Sequence, residues 1–264
     1  MTERLSVLPG ALLDLDADVL FLQEVFHNDI QKKLYRTLNN SYPYITGISK
    51  GGMKLRLGNE LLTISKYPLN QGKLIRFKHA SPEENLFTSK GFFHTSMIIP
   101  DMAHIELINF HMTAGGVHAH PEDDRMDAIR MQQIDQILEY SGQFKHVILA
   151  GDLNAGPHTS TTNYQRILNA GFVDLTIESG RDAVTWDNKN PLVANGEEFH
   201  LPSQSIDHIF INRTLSGELN LIESKIVLNN KCIRTNGVMI PLSDHYGVMT
   251  TLEIRGTGPK ESLT

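Results

Sequence analysis

Five short apolar runs in this chain each give way to a carboxylate or a histidine, and that repetition constrains the fold more than any other feature. Val19-Leu20-Phe21-Leu22 leads into Gln23-Glu24, Leu107-Ile108-Asn109-Phe110 into His111, and Val147-Ile148-Leu149-Ala150 into Gly151-Asp152-Leu153-Asn154. Ser205-Ile206 is followed by Asp207-His208, and Pro241-Leu242-Ser243 by Asp244-His245. Strand-type runs read as Val19–Glu24, Leu61–Ser65, Phe92–Ile99, Ile105–His111, Val147–Ala150, Ile206–Ile211 and Gly247–Ile254. Side chains partly alternate over Ile105–Phe110, as on a half-buried strand. Leu20-Phe21-Leu22 and Val147-Ile148-Leu149 are continuously apolar, as in strands buried on both faces. Open α/β sheets gather ligands at the carboxyl ends of their strands, so these polar ends are expected to assemble one site.

Helical patterns lie between the strands. Over Pro121–Tyr140, Met126, Ile129, Ile134, Ile137 and Leu138 share one side at 3.6 residues per turn. Proline and Glu122-Asp123-Asp124 suit the helix start, and Ser141-Gly142 its stop. Arg130 and Gln133 fall on the same apolar side. A buried guanidinium needs partners, so Arg130 is expected to meet a carboxylate or backbone carbonyls. A second helix is expected over Thr162–Asn169, stopped at Gly171, and Thr2–Leu15 is helix-like. Asp187–Ser205 reads as a long loop, a class that often carries function.

The 264 residues carry a net charge of −6 and a pI of about 6.0, and the length is ample for one large core. Affinity for a nucleic-acid backbone rests mainly on Lys and Arg, so the missing basic surplus disfavours a nucleic-acid partner. Cys232 is the only cysteine and can form no intrachain disulfide, which fits a reducing compartment. No apolar run is long enough to span a bilayer, and MTERLSVLPG is not a signal peptide. As it stands, the sequence implies a cytoplasmic location.

Taken singly, each polar residue has a plainer reading. Glu24 could begin a loop, Asp152 and Asn154 could form a turn, His111 could be a satisfied core histidine, and Asp244-His245 could cap a helix. Together they fit a phosphodiester centre, which needs an activated water, charge stabilisation on the non-bridging oxygens and help for the leaving oxygen. Histidine suits the base, and a buried carboxylate fixes its tautomer. Hard carboxylate oxygens suit Mg²⁺ or Mn²⁺. Thiolate clusters and a His-Glu-x-x-His helix are absent from the sequence, which disfavours a zinc hydrolase of that type.

With these residues in view, the sequence resembles the endonuclease/exonuclease/phosphatase superfamily, and within it the neutral sphingomyelinase branch. The matching stretches are Asp18-Val-Leu-Phe-Leu-Gln-Glu24, Gly58-Asn-Glu-Leu-Leu-Thr-Ile-Ser-Lys-Tyr-Pro68, Ser89-Lys-Gly91, Asn109-Phe-His111, Gly151-Asp-Leu-Asn154, Ser205-Ile-Asp207 and Leu242-Ser-Asp-His245. They run in family order along nearly the whole chain. The resemblance implies a DNase I-like α/β fold, a two-sheet sandwich flanked by helices. It implies that Glu24 holds the metal, that Asp207 orients His245 as the base, and that Asp152 and Asn154 bind the phosphate, the water or a second ion. His111 would stabilise phosphate charge, and Asp244 would sit beside the metal or share the His245 network. Lys90 would contact phosphate from the rim, or else be solvated. The stretch Thr185–Leu192 looks like a sphingomyelinase-type loop, in which Trp186 would meet a lipid interface or pack the loop on the core.

The chain departs from the family at its start. Members open with a strand ending in a metal-holding Asn, whereas only Thr2–Leu15 precedes Asp18 here. The resemblance therefore implies a catalytic domain over residues 1–255 without that first strand, followed by a flexible tail over 256–264. The expected activity is Mg²⁺-dependent hydrolysis of a phospholipid or other phosphodiester, sphingomyelin first, with peripheral membrane contact and no obligate protein partner. A nuclease, or a nucleotide or phosphoinositide phosphatase, is the alternative of the same class. A non-catalytic binding module is the alternative of another class.

Overall fold

The computed structural model describes residues 3–48, 60–81, 84, 90–100, 102, 104–114, 124–176, 183–194, 201–230, 232–235 and 238–256. The chain opens with helix α1 (Arg4–Asp14), strand β1 (Val19–Leu22), helix α2 (Asn28–Leu38) and strands β2 (Tyr44–Thr46), β3 (Leu62–Ser65), β4 (Lys73–Arg76), β5 (Gly91–Met97) and β6 (Ile105–His111). Helix α3 (Asp124–Ser141), β7 (Val147–Asp152), α4 (Thr161–Asn169) and β8 (Phe172–Asp174) follow. The remainder is β9 (Asp207–Asn212), α5 (Arg213–Glu218), β10 (Leu219–Val227), β11 (Cys232–Thr235), β12 (Val238–Pro241) and β13 (Gly247–Ile254). The expected helix starts at Pro121–Asp123 and Thr2, the motif residues Gly58, Asn59 and Ser89, the loop residues 195–200 and the tail beyond Gly256 lie outside the described residues.

A six-stranded sheet in the order β4-β5-β6-β7-β9-β8 forms the centre. Only β6 and β7 run parallel in it. Parallel neighbours need a crossover, and α3 supplies it. One sheet face buries Phe92, Ile108, Phe110, Leu149 and Phe210 against Ile134, Ile137, Tyr164 and Ile167 of α3 and α4. The other face buries Met97, Ile105, Leu107 and Ile211 with Leu219, Leu252 and Phe21 from a second layer of strands. That layer contains the antiparallel β1-β3-β2 sheet and the β10-β13 pair. Leu12, Leu34 and Leu38 of α1 and α2 cover its outer side over Leu20, Leu62 and Ile64. The result is the expected two-sheet sandwich with helices outside both sheets. Among the described residues β1 pairs only with β3 and β13 only with β10, and a cavity of about 540 Å³ is lined by both strands.

Alternation along β6 sends Ile105, Leu107, Asn109 and His111 toward the second layer and Ile108 and Phe110 toward the helices. Asn109, a polar residue at a core position, is satisfied across the sandwich. Its amide donates to the Leu22 and Leu62 carbonyls at 3.2 and 2.9 Å, and its Oδ1 accepts from Gln23 at 2.8 Å. This tie fixes the end of β1, and with it Glu24, over the end of β6.

Arg130 is fully buried on α3, where it donates to the Thr113 carbonyl at 3.1 Å, to Ser160 Oγ at 2.9 Å and to the Asp127 carboxylate. Gln133 Oε1 accepts from Thr113 N–H at 2.9 Å. Both polar groups expected on the apolar helix side thus hold one residue, two positions beyond His111.

Candidate active site

Register brings three of the expected residues into one row. His111 stands opposite Asp152 on the parallel β6–β7 pair, and Asp152 stands opposite Asp207 on the antiparallel β7–β9 pair. Side chains in register across adjacent strands point to the same face, here the inside of the sandwich at its rim. The expectation that every site residue closes a strand is corrected for Asp207, which opens β9. The antiparallel β7–β9 pairing brings the amino end of β9 to the rim where β7 finishes, while Asp244 and His245 lie in the turn between β12 and β13.

Gly151 makes the row possible. A Cβ there would lie 1.9 Å from the Phe110 carbonyl oxygen, and its φ is +152°, so only glycine lets β7 approach β6 this closely. Glu24 and Asn154 adopt φ values of 59° and 51°, a region that costs energy for residues with a Cβ and recurs at functional sites.

His245 Nδ1 lies 2.8 Å from Asp207 Oδ2. Burial disfavours the imidazolium of His245, but Asp207, then Asp152 and Asp244, carry its pKa well above the usual value. Burial likewise opposes ionisation of Asp207, and His245 with the Thr185 hydroxyl outweighs it, so its pKa is lowered. Asp152 moves the other way, raised by burial and by the Asp207 carboxylate despite an N–H from Asn154 at 2.8 Å. Asn154 also donates from its side chain to the Met112 carbonyl at 3.3 Å.

His111 is held from the opposite side. Its Nδ1 is 3.3 Å from Glu60 Oε2, and its Nε2 is 3.5 Å from Asp152 Oδ2 and 4.0 Å from Glu24 Oε1. Burial and Lys90 lower the His111 pKa, and Glu60 with Asp152 outweighs them to raise it. Burial raises the Glu60 carboxyl, but His111 and Lys90 bring it down to about 2.

Lys90 is not solvated. It is buried, 3.5 Å from Glu60 and 4.0 Å from Glu84, and donates to the Met112 carbonyl at 3.3 Å. A charged amine beside two buried carboxylates is retained there by them, so its link to the site runs through Glu60 and His111. Trp186 is not a lipid-facing residue either. It packs with Val193, Leu201 and Ile206 in a small core of its own. Asp244 has its carboxylate 3.2 Å from Ser243 Oγ; it acts on His245 through charge and stands outside the closest ligand cluster.

That cluster, among the described residues, is Asp152, Asp207 and His245, whose ligand atoms lie within 4.8 Å of one another. A buried Asp152 carboxylate beside a partly buried Asp207, the pKa of the first raised by burial and by the second, forms a donor set that a hard divalent cation would relieve. Glu24, 59% exposed at the side chain, offers a further oxygen beside His111. The residues present therefore fit Mg²⁺ or Mn²⁺.

The sequence reading missed Glu60, although it lies within one of the quoted stretches. It precedes a buried strand instead of following one, and β3 runs antiparallel to β1 with Leu62 opposite Leu22, so its start reaches the rim. Thr185 and Asn190 lie in the quoted Thr185–Leu192 stretch, but their contacts with the site could not be read from it.

Residues 2–245 match the endonuclease/exonuclease/phosphatase family. The chain belongs to that family. Its members are hydrolases acting on phosphodiesters and depend on a divalent metal. Sphingomyelinase C of Bacillus cereus is 23% identical over 256 residues, spanning 86% of this chain and 73% of that protein. A structure of beta toxin from Staphylococcus aureus superposes with a TM-score of 0.78 at 21% identity, covering 94% of this chain and 91% of that one. A mutant of the same toxin with bound magnesium ions gives 0.72 at 20% identity, covering 94% and 91%. The D. rerio protein TDP2, complexed with single strand DNA product, gives 0.69 at 17% identity, covering 96% and 92%. At these identities the superpositions establish a shared fold.

Proposed function

We propose that this chain is a metal-dependent phosphodiesterase that hydrolyses sphingomyelin to release phosphocholine. The observation that carries the reading is the His245–Asp207 pair at 2.8 Å, set in one row with Asp152 and His111. Asp207 accepts a hydrogen bond from Nδ1–H of His245. Once the ring is neutral, above its raised pKa or beside a bound cation that offsets the neighbouring carboxylates, Nε2 is free to take a proton from water. Asp207 and Asp152 then stabilise the imidazolium that forms. His111, its Nδ1 turned to Glu60, directs Nε2 toward Asp152 and Glu24, where as an imidazolium it donates to charge developing on the phosphate. Asn154, on its strained turn, offers an amide to the same region. Glu24, Asp152 and Asp207 supply the oxygens that would hold Mg²⁺, which when bound neutralises charge on the phosphate and its leaving oxygen.

The choice of sphingomyelin is supported by the relationship to the Bacillus cereus enzyme. The net charge of −6 argues against a nucleic-acid backbone as substrate. The test offers the purified protein sphingomyelin vesicles and single-stranded DNA in parallel, with Mg²⁺. Phosphocholine release from the vesicles is expected. Cleavage of DNA with sphingomyelin left intact would replace the lipid reading by a nuclease.

A further inference from the structure

Asp207 and His245 stand on different ladders. Asp207 begins β9 in the six-stranded sheet, while His245 leads into β13, which pairs with β10. No ladder sets their separation, yet their side chains meet at 2.8 Å, and both rings and carboxylates of this kind lose function when misplaced by an ångström.

One segment touches both. Trp186 is bridged in antiparallel fashion to Gln204 on one side and to His245 on the other. Thr185 and Trp186 N–H groups donate to the Gln204 carbonyl at 2.9 and 3.0 Å, and Tyr246 N–H donates to the Thr185 carbonyl at 2.7 Å. Thr185 Oγ1 accepts from both Ile206 N–H and Asp207 N–H at 3.1 Å. On the histidine side, the Asn190 amide donates to the Ser243 and Asp244 carbonyls at 3.0 and 3.1 Å. Asn190 is 1% exposed, and its Oδ1 accepts from Leu192 N–H at 3.0 Å. Trp186, with Val193, Leu201 and Ile206, gives the segment its own apolar anchor.

We propose that residues 185–190 are a strap that sets the spacing of Asp207 and His245, with Thr185 and Asn190 as its positioning residues. Thr185 holds the backbone that presents the carboxylate, and Asn190 holds the turn that presents the imidazole. Neither touches the imidazole or the water it would activate. The inference rests on the reading of Asp207 and His245 as a catalytic pair, and it gives the Thr185–Leu192 loop a duty unrelated to lipid contact.

Three substitutions test it. Asn190→Asp keeps the shape but turns a carboxylate toward two carbonyl oxygens. Thr185→Val removes the hydroxyl at constant shape, and Thr185→Ser restores it. Two readouts are taken: the low-field proton NMR signal of His245 Nδ1–H bonded to Asp207 in metal-free protein, and kcat and KM for bis-p-nitrophenyl phosphate with Mg²⁺. Loss of the signal is expected in Asn190→Asp and Thr185→Val, with kcat down by about 10²-fold, as for a misplacement of about 1 Å, and KM unchanged. Thr185→Ser is expected to recover both. The strap is refuted if the signal persists in Asn190→Asp and Thr185→Val, or if Thr185→Ser is as impaired as Thr185→Val. Should the native protein turn over no phosphodiester, the functional reading falls and the NMR signal alone decides the strap.

Discussion

Replacing Glu60 by glutamine removes one buried charge from a line of three. Glu60 is 2% exposed, with His111 Nδ1 at 3.3 Å and Lys90 Nζ at 3.5 Å. These two cations overcome the cost of burial and carry its carboxyl from 4.5 to about 2. At about 1.4 kcal/mol per pH unit, ionised Glu60 contributes roughly 3 kcal/mol to the folded state at pH 7. A depressed carboxylate pKa gives stability that is complete above 4.5 and disappears as pH falls through about 2. By pH 3 about 1.4 kcal/mol of it remains. Glu60→Gln keeps the volume and leaves His111 and Lys90 with less counter-charge, Lys90 retaining Glu84 at 4.0 Å. Urea denaturation should therefore show the variant less stable by roughly 3 kcal/mol at pH 7, with the gap about halved at pH 3. The melting temperature should fall by about 6–12 °C. His111 also loses the partner that orients its Nδ1, so kcat should drop. A gap below about 0.5 kcal/mol at pH 7, or a gap of equal size at both pH values, refutes the electrostatic account of Glu60.

Two other substitutions probe the frame behind the site. Arg130→Leu should cost about 1–3 kcal/mol, because the buried Thr113 carbonyl loses its donor and Asp127 loses the guanidinium; a thermal melt within 1–2 °C of the native protein would show that the buried cation does not stabilise the fold. Gly151→Ala should cost at least about 2 kcal/mol by overpacking, since its Cβ would meet Phe110 O at 1.9 Å; near-native stability with full activity would mean that β6 and β7 can separate without disturbing the row.

Much of the fold was legible because period and termination agree. The run Val147–Ala150 is apolar on both faces and is buried on both faces as β7, and the 3.6-residue pattern of Met126–Leu138 became α3. Arg130 on that apolar side predicted its own partners. What escaped were elements whose identity depends on what they pack against. The short strands β2, β4 and β8 have little periodicity and exist because a neighbouring strand or sheet face accepts them. Helix α2, by contrast, carries a helical period of its own, with Ile30, Leu34 and Leu38 on one side, which the strand-end rule passed over. Reading the site as a set of strand ends found His111 and Asp152 for the right reason, and Asp207 at the right place for a different one, since in a mixed sheet the rim collects amino ends of antiparallel strands too. Glu60 was passed over by the same rule. Lys90 and Trp186 show the limit of residue type as a guide: a lysine and a tryptophan in polar surroundings of sequence lie buried, one ion-paired and one packed.

The central claim is that His245, oriented by Asp207, activates water for metal-dependent hydrolysis of a phosphodiester. Its most direct test is a Mg²⁺ titration of bis-p-nitrophenyl phosphate turnover by chelator-treated native protein and by His245→Ala. The account predicts turnover that starts from zero and saturates with Mg²⁺, and a loss of about 10³-fold or more in the variant, as expected when a general base and its transition-state charge are removed together. Turnover that persists without added metal, or a His245→Ala protein with native activity, would contradict it.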